Sequence, residues 1–457
     1  MVKMKEPKRI AVIGAGVSGL AAAWRLALTH NVTLYESAPT LGGHANTVAA
    51  DISGKQISVD TGFIVFNPKN YPNFCALLDY FGIASSASDM SFSASIGDGN
   101  FEYSSDGIAG LFAQKRNWFR PRMWSMLADL VRLYRAGRSI QDDDLERTLD
   151  EFLVAHGYSE TFREDHILPM CAAIWSSPVE TMRHYPARSF FAFFENHGLL
   201  QFGERPEWRT VTGGSRTYVD ALRRAFRGQV KLDRTVTNIE RLPQGIAVLL
   251  DDGGRAIFDE VVLACHSDQA LTCLGNQASV LERAVLGAIR YQPNTAILHR
   301  DTSFMPKKRA AWASWNYCRG RATGTPDSEV SLTYWMNRLQ PLETDEPIFV
   351  TLNPDRAPDA RQTIASFDYA HPVFDREALI AQEMLHEVQG QNRVWFCGAW
   401  MGSGFHEDGL QGGLAVAEAL GAPIRPWEQD RAASRIHWPD YFKRPVADNA
   451  SHLVVVK

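Results

Sequence analysis

Gly14, Gly16 and Gly19 are spaced G-x-G-x-x-G, and an acid, Glu36, stands a short way further along the chain. Residues of these types in this order can hold a dinucleotide. Gly14 allows a tight turn, Gly16 lets a pyrophosphate approach the backbone, and Gly19 lets a helix lie close to a strand. Ala15 and Ser18 sit in the same turn, where free N–H groups and the positive dipole end of a helix would meet phosphate oxygens. Glu36, with Ser37 beside it, can accept hydrogen bonds from an adenosine ribose, and its charge disfavours a 2′-phosphate. The glycine spacing alone is a weak signal. It gains force from its setting: Ile10 to Ile13 read as a buried strand, Ala21 to Leu28 as a helix and Asn31 to Tyr35 as a second strand, in the order a dinucleotide fingerprint requires.

Further residues extend this set. Ser37-Ala38-Pro39-Thr40-Leu41-Gly42-Gly43-His44 follows the acid, then Val59-Asp60-Thr61-Gly62-Phe63-Ile64, and Gly404-Phe405-His406-Glu407-Asp408-Gly409 precedes a helical stretch from Leu410 to Leu420. In these segments the chain resembles the flavin-containing amine oxidase, phytoene desaturase and protoporphyrinogen oxidase superfamily. The resemblance implies FAD rather than NAD. It implies that Gly42 and Gly43 turn under the pyrophosphate, and that Thr61, Gly62, Phe63 and Ile64 run beside the flavin. His44 stands where the superfamily usually has Arg, and an imidazole near neutral pH is only partly charged. Thr212-Gly213-Gly214-Ser215, a helix from Tyr218 to Phe226, a strand from Lys231 to Ile239 and an apolar strand from Phe258 to Ala264 match further elements, with Val236 the implied backbone contact to adenine.

Towards the C-terminal end, Arg393 to Gly398 resembles the last strand of the superfamily fold, and Gly398, Asp408, Gly409 and Leu410 are implied cofactor contacts. A helix N-terminus aimed at N1 and the C2 oxygen would stabilise the negative charge of a reduced flavin, with the Leu410 N–H as donor. Asp408 would serve the ribityl or phosphate region through its backbone or its carboxylate. Cys397 reads as a buried strand thiol, so the FAD is expected to be non-covalent. Either His406 or Glu407 is a candidate for moving a proton. Trp315, Asn316, Tyr334 and Phe405 are candidates for lining a substrate pocket.

A narrower resemblance rests on Asp60-Thr-Gly-Phe-Ile-Val-Phe-Asn67, Ala173-Ile-Trp-Ser-Ser-Pro178, Phe193-Phe-Glu-Asn-His-Gly198, Trp312-Ala-Ser-Trp-Asn-Tyr317 and Tyr334-Trp-Met-Asn-Arg-Leu339. Together with the 404–409 segment they resemble the bacterial FAD-dependent amine-oxidase-like proteins associated with cyclopropane-fatty-acid synthases. That likeness implies a redox reaction on a fatty acyl or other lipid chain. Amine oxidases of the superfamily usually hold a Lys near flavin N5, on a strand matching about 294–299, whereas Asn294 to His299 contains none. The leading expectation is an FAD-dependent oxidoreductase that takes a hydride from a hydrophobic substrate, in the manner of a desaturase or oxidase. The alternatives are a fatty-acid double-bond isomerase that returns the hydride, an amine oxidase, and a non-enzymatic FAD-containing partner of a lipid methyltransferase. The sequence has no second strand–G-x-G-x-x-G–helix unit for NAD(P)H, which favours electrons leaving to oxygen or a quinone, or returning to the substrate.

The rest of the chain must position these residues. With 457 residues it is long enough for several domains, and 45% hydrophobic with 22% charged residues is ordinary for a globular protein. The expected fold is α/β, or α+β overall: a Rossmann-like FAD-binding domain of the amine oxidase type, discontinuous over 1–66, 205–265 and 390–425, and a mixed sheet-and-helix substrate domain over 67–204 and 266–389. A polar tail follows at 426–457. Residues 66–204 read as mostly helical, with helices over 111–156 and 159–175. Residues 266–389 read as a helix near 278–289 with strands such as Thr295 to His299 and Val330 to Met336. A net charge of −5 does not suggest nucleic acid. Six cysteines with no C-x-x-C pair argue against a zinc site and for a reducing compartment, so no metal is expected. The absence of a readable signal peptide or membrane-length apolar run suggests a cytoplasmic protein. Residues 114–138 carry Lys115, Arg116, Arg120, Arg122, Arg132, Arg135 and Arg138 interleaved with Trp118, Phe119, Trp124 and Leu127. A basic helix with aromatic residues can lie on an anionic bilayer, which would make the protein peripheral to the inner face of a membrane.

Overall fold

The computed structural model describes residues 6–136, 146–200, 206–320, 331–428, 434–436 and 438. The chain divides into two compact units, one made of 1–39, 225–283 and 382–457, the other of 40–224 and 284–381. Each is built around its own sheet.

The first unit is centred on a five-stranded sheet in the order Gln229–Lys231, Asn31–Tyr35, Arg9–Ile13, Glu260–Leu263, Val394–Phe396, with every neighbouring pair parallel. A parallel sheet is covered on both faces, so its strands read as unbroken apolar runs rather than alternating ones. Ile10, Ala11 and Val12 on one strand and Val261, Val262 and Leu263 on the next are fully buried. Helix Val17–Leu26 follows the first strand and is buried along its whole length. A Cβ on Gly19 would lie 1.8 Å from the Gly14 carbonyl oxygen, so glycine is what lets this helix start so close to its strand. Helix His406–Ala419 crosses it at Gly409 and Gly413, where a Cβ on Gly413 would lie 2.1 Å from the Ser18 carbonyl oxygen. A three-stranded antiparallel sheet, Val236–Leu242, Gly245–Leu250 and Arg255–Phe258, is inserted into this unit.

The second unit holds a seven-stranded mixed sheet in the order Thr363–Val373, Arg290–His299, Phe349–Leu352, Ser331–Trp335, Trp315–Arg319, Phe92–Ile96, Phe101–Ser104. All its pairs are antiparallel except Trp315–Arg319 with Phe92–Ile96. A hairpin, Thr47–Ile52 with Lys55–Asp60, turns at Ser53 and Gly54, both at positive φ, as a tight two-residue hairpin loop demands. Helices include Pro72–Tyr80, Pro121–Ala136, Leu168–Trp175, Ala187–Asn196 and Arg216–Ala225.

The α/β fold with its parallel sheet is as the fingerprint predicts, but several elements differ. The single strand expected over 231–239 is two strands in two sheets, because the chain turns between them at Asp233, where φ is 51°. The stretch 66–204 is less helical than expected: Phe92–Ile96 and Phe101–Ser104 complete the large sheet, and Ser85–Ala87 joins a small one. The helix expected over 111–156 is interrupted, with a 3-10 turn at Lys115–Phe119 before Pro121–Ala136, and Leu149–Ala155 beginning afresh at its own Thr148 capping box. The closing helix starts at His406 rather than Leu410, because the Asp408 carboxylate accepts the Phe405 N–H at 2.8 Å and caps the first turn. Residues 40–66 and 206–224, expected to serve the cofactor, belong to the second unit by packing. Residues 137, 138, 205 and most of 426–457 lie outside the described residues.

Candidate functional site

In the first unit, helix Val17–Leu26 begins at Gly16 with no side-chain cap and no acid in its first turn. Its leading N–H groups are therefore left for an anion. Gly14 has φ 99° and donates its N–H to the Tyr35 carbonyl, which fixes the strand-to-helix turn. A Cβ built on Gly16 meets nothing within 4 Å, so open space lies in front of the backbone there. This open cradle at an uncapped helix start fits a pyrophosphate. Glu36 stands at the end of the next strand with its carboxylate already oriented. One oxygen takes the Ala15 N–H at 2.7 Å, and the other takes the Ala38 N–H at 2.9 Å and the Ser37 hydroxyl at 3.3 Å. A carboxylate offers about four acceptor positions, so it keeps capacity for a ribose hydroxyl. Ala15 and Ser18 are buried, and Ser18 packs against Gly409 and Gly413 of the closing helix. Val236 opens the inserted sheet, and its carbonyl accepts the Cys273 thiol at 3.5 Å.

The closing helix presents the other group of predicted residues. Phe405 is its N-cap, and His406, Glu407, Asp408, Gly409 and Leu410 form its buried first turn. Burial pushes the His406 imidazole down to about 3, so it is neutral across the ordinary pH range. The Glu407 carboxylate accepts Gln411 Nε2 at 2.9 Å. Burial raises Asp408 to about 6 against the opposing pull of Arg435, whose Nε lies 2.9 Å away. Arg435 also stands over the Phe405 ring at 5.8 Å. The turn ahead of the helix is held by Gln382 Nε2, which donates to the carbonyls of Trp400 and Gly402. Gly398 leaves room for the Trp400 indole, which donates to the Cys265 carbonyl. Cys397 is fully buried, and burial pushes its thiol up, away from the reactive thiolate.

In the second unit, Gly42 (φ 121°) and Gly43 (φ 56°) make the turn that leads into His44. The Phe63 N–H donates to the His44 carbonyl at 2.7 Å, and a Cβ on Gly62 would lie 2.2 Å from that same oxygen, so the two predicted segments are in direct backbone contact. The His44 ring lies 4.9 Å from Tyr369 and 5.3 Å from His371. The Tyr369 hydroxyl bonds to Thr61 Oγ1 (2.9 Å) and Asn46 Nδ2 (3.0 Å), and His371 Nδ1 bonds to Asn294 Nδ2 (2.9 Å). Asp60, just before Thr61, is buried and accepts from Thr47 Oγ1, the Ser215 N–H and hydroxyl, and Gln340 Nε2. Burial pushes Asp60 up to about 6 against the pull of these donors. It ties the hairpin, the Gly213-Gly214 turn and the 336–340 segment together. Phe63 packs edge-on to Phe74 at 5.2 Å, and Ile64 offers its carbonyl to Thr210 Oγ1.

Trp315 and Tyr334 meet edge to face at 4.9 Å. The Tyr334 hydroxyl takes a hydrogen bond from Ser176, next to Trp175, which stacks obliquely with Phe193 at 4.7 Å. The indole N–H groups of Trp175 and Trp315 are buried and without a partner among the described residues. Asn316 is fully buried with its amide engaged by Ala313 and the Thr333 carbonyl, which places it in the body of the sheet. Sequence reasoning missed Tyr369, His371 and Asn46. The first two could have been found: Phe367, Tyr369 and His371 alternate with period two on strand Thr363–Val373, so they share one face.

The family described as flavin containing amine oxidoreductase matches residues 17–341, more than two thirds of the chain. A carotenoid phi-ring synthase of Chlorobaculum tepidum is 33% identical over 132 residues, which is 29% of this chain and 19% of that protein, so the chain matches only about a fifth of that relative's length. Among solved structures, a fatty acid isomerase from P. acnes superposes with a TM-score of 0.60 at 17% identity, covering 90% of this chain and 98% of that one. Putrescine oxidase bound to putrescine gives 0.64 at 14% identity, covering 91% and 99%. These two likenesses bear on the fold. Taken with the open glycine cradle and the oriented Glu36 carboxylate, the family match is decisive: the chain belongs to the flavin-containing amine oxidoreductase family and is an FAD-dependent oxidoreductase.

Proposed function

We propose that this oxidoreductase takes a hydride from a carbon chain of a hydrophobic substrate, a fatty acyl or related lipid. The observation that carries this reading is the Trp175, Phe193, Tyr334 and Trp315 cluster, which contains no carboxylate and no Lys and holds two indole donors without a partner among the described residues. Aromatic walls bind an alkyl chain through apolar contact, and an indole N–H suits the single oxygen-bearing end of such a molecule. Aromatic faces can also hold an ammonium, but a carboxylate to pair with it is absent from this cluster. The lack of Lys on Arg290–His299 points the same way. Two of the similar proteins have names that concern a fatty acid and a carotenoid.

FAD, when bound, supplies the hydride-accepting ring. The residues of the first unit that would hold it are Gly14, Ala15, Gly16, Ser18, Gly19, Glu36, Ser37 and Val236, with Gly398, Asp408, Gly409 and Leu410. On this reading the FAD-binding function is spread over 1–66, 205–265 and 390–425, and 67–204 with 266–389 serve the substrate. The chain's own contribution to rate is positioning and exclusion of water by the aromatic walls. A neutral His406 can share a hydrogen bond but carries no charge.

Anaerobic mixing of the holoprotein with free fatty acids or extracted membrane lipids, while the oxidised-flavin absorbance band is followed, tests the reading. Bleaching by lipid supports it. Bleaching by amines and by no lipid pool would sink it. A second reading, double-bond isomerisation with transient hydride removal, draws on the fold match that spans 98% of a fatty acid isomerase. Stoichiometric consumption of an acceptor during turnover would exclude that alternative.

A further inference from the structure

Among the described residues, large apolar side chains that remain exposed are mostly scattered singly, which is ordinary for a protein surface. The exception is one short segment of the second unit, where Ile108, Trp118, Phe119 and Trp124 are exposed by 69%, 47%, 90% and 48%. They lie on the helix Gly107–Leu111, the 3-10 turn Lys115–Phe119 and the first turn of Pro121–Ala136. The segment is firmly built. Gln114 and Asn117 point inward, with Gln114 Nε2 donating to the Gly99 carbonyl at 2.8 Å and Asn117 Nδ2 to the Glu102 carbonyl at 2.9 Å. Trp118 stacks on Phe112 with ring centroids 3.7 Å apart, and its carbonyl accepts Trp124 Nε1 at 2.9 Å. The aromatic rings are thus held outward by structure.

Lys115, Arg116 and Arg120 stand on the same segment and make no ion pair among the described residues. Arg116 and Arg120 donate instead to the Asn100 carbonyl. Arg120 is pushed below its ordinary range by burial and, next, by the neighbouring charges of Arg116 and Arg122. The acids nearest in sequence are engaged elsewhere: Glu102 with the Lys307 and Lys308 N–H groups, Asp106 with Arg338, and Asp129 with Arg132. Helix Pro121–Ala136 itself buries Met123, Met126 and Leu133, so its apolar side belongs to the interior and the exposed aromatic residues sit at and before its start.

We propose that residues 107–124 form a docking platform for an anionic lipid bilayer, with Ile108, Trp118, Phe119 and Trp124 entering the headgroup layer and Lys115, Arg116 and Arg120 meeting lipid phosphates. Rigidly displayed aromatic residues rimmed by unpaired basic ones match an interface that is apolar below and negative above. The proposal does not depend on the substrate, since docking requires no turnover.

The test is co-sedimentation of the full-length holoprotein with vesicles of phosphatidylcholine alone or with phosphatidylglycerol added. Binding is expected to need the anionic lipid and to weaken with salt. Phe119→Ser, at a position nine-tenths exposed, should weaken it roughly tenfold. Lys115→Gln should weaken it about fivefold, the equivalent of one surface charge. Both variants should keep the parent's melting temperature and flavin spectrum. No vesicle binding by the parent, binding unaltered in both variants, or salt-sensitive binding to nucleic acid in place of vesicles would each overturn the proposal.

Discussion

Replacing Gly16 by Ala separates what the cofactor needs at the fingerprint from what the fold needs. The new methyl would meet nothing within 4 Å, and φ −68°, ψ −177° is a conformation open to any residue. Loss of glycine freedom in the unfolded chain stabilises by about 0.4–1 kcal/mol, and alanine is a poorer helix N-cap than glycine by a comparable amount. The apoprotein should therefore keep its stability within about 0.5 kcal/mol. The methyl nevertheless fills the space in front of the helix start. Overpacking there costs about 1–3 kcal/mol, or roughly 5- to 150-fold in Kd for FAD. Gly19→Ala and Gly413→Ala should behave oppositely. Their Cβ atoms would lie 1.8 and 2.1 Å from backbone oxygens, where ordinary contact begins at 3.4 Å, so buried backbone must separate and the apoprotein itself should lose stability. FAD titration into apoprotein by flavin fluorescence, alongside thermal unfolding without FAD, reads both quantities. Gly16→Ala binding FAD like the parent, or unfolding at a lower temperature than the parent apoprotein, would refute this reasoning.

Other consequences can be checked in the same preparations. Asp60→Ala strips the acceptor from the Thr47, Ser215 and Gln340 donors, so unfolding should become easier by about 3–5 kcal/mol, with Asp60→Asn costing less; equal stability of Asp60→Ala and parent in denaturant melts would contradict the network. Because Asp60 sits at about 6 when folded against 3.8 as the ordinary value, its contribution is fully present below pH 3.8 and is lost as pH rises through 6. Asp60→Asn should remove that downward slope, worth about 3 kcal/mol, from stability measured between pH 4 and 6. Glu36→Ala, which frees the Ala15 and Ala38 N–H groups and removes the ribose acceptor, should weaken FAD binding by about ten- to a hundredfold, at 1.4 kcal/mol per decade; unchanged affinity would remove Glu36 from the site. With His406 held neutral, any limb of a kcat–pH profile between pH 5 and 8 should survive in His406→Gln, and loss of such a limb in the variant would show that His406 titrates there.

What was legible in the sequence follows from how local the physics is. The glycine fingerprint could be read because turn, uncapped helix start and the Glu36 acid all lie within 9–36, and the buried apolar run Ile10 to Ile13 leads straight into Gly14. The break at Asp233 could not be read, because a positive φ at a residue other than glycine carries only a weak sequence signature. Phe92–Ile96 is a different case. Its signals were in fact present: Phe92, Ala94 and Ile96 alternate with Ser93 and Ser95, and the antiparallel partner Phe101–Ser104 follows across the Gly97–Asn100 turn, whereas the pairing with Trp315–Arg319 joins residues far apart in the chain and leaves no local mark. The start of the closing helix at His406 depended on where the Asp408 carboxylate turned, which composition does not fix.

His44 shows how a residue can be visible in the sequence while its meaning is not. Its identity stands out because an Arg is usual there, yet the sequence says nothing of what surrounds it. In the structure its neighbours come from distant strands: Tyr369 and His371 at 4.9 and 5.3 Å, with Asn46, Thr61 and Asn294 bonded to them. These groups are amides, hydroxyls and imidazoles. A guanidinium in their midst would find no carboxylate among these side chains, so its charge would call for an anion from outside the set, such as the pyrophosphate that the resemblance implies at this turn. The Asp60 carboxylate nearby in sequence is already filled by the Thr47, Ser215 and Gln340 donors. A histidine needs no such anion, and its ring packs against Tyr369 and His371, which share one face of Thr363–Val373 with Phe367.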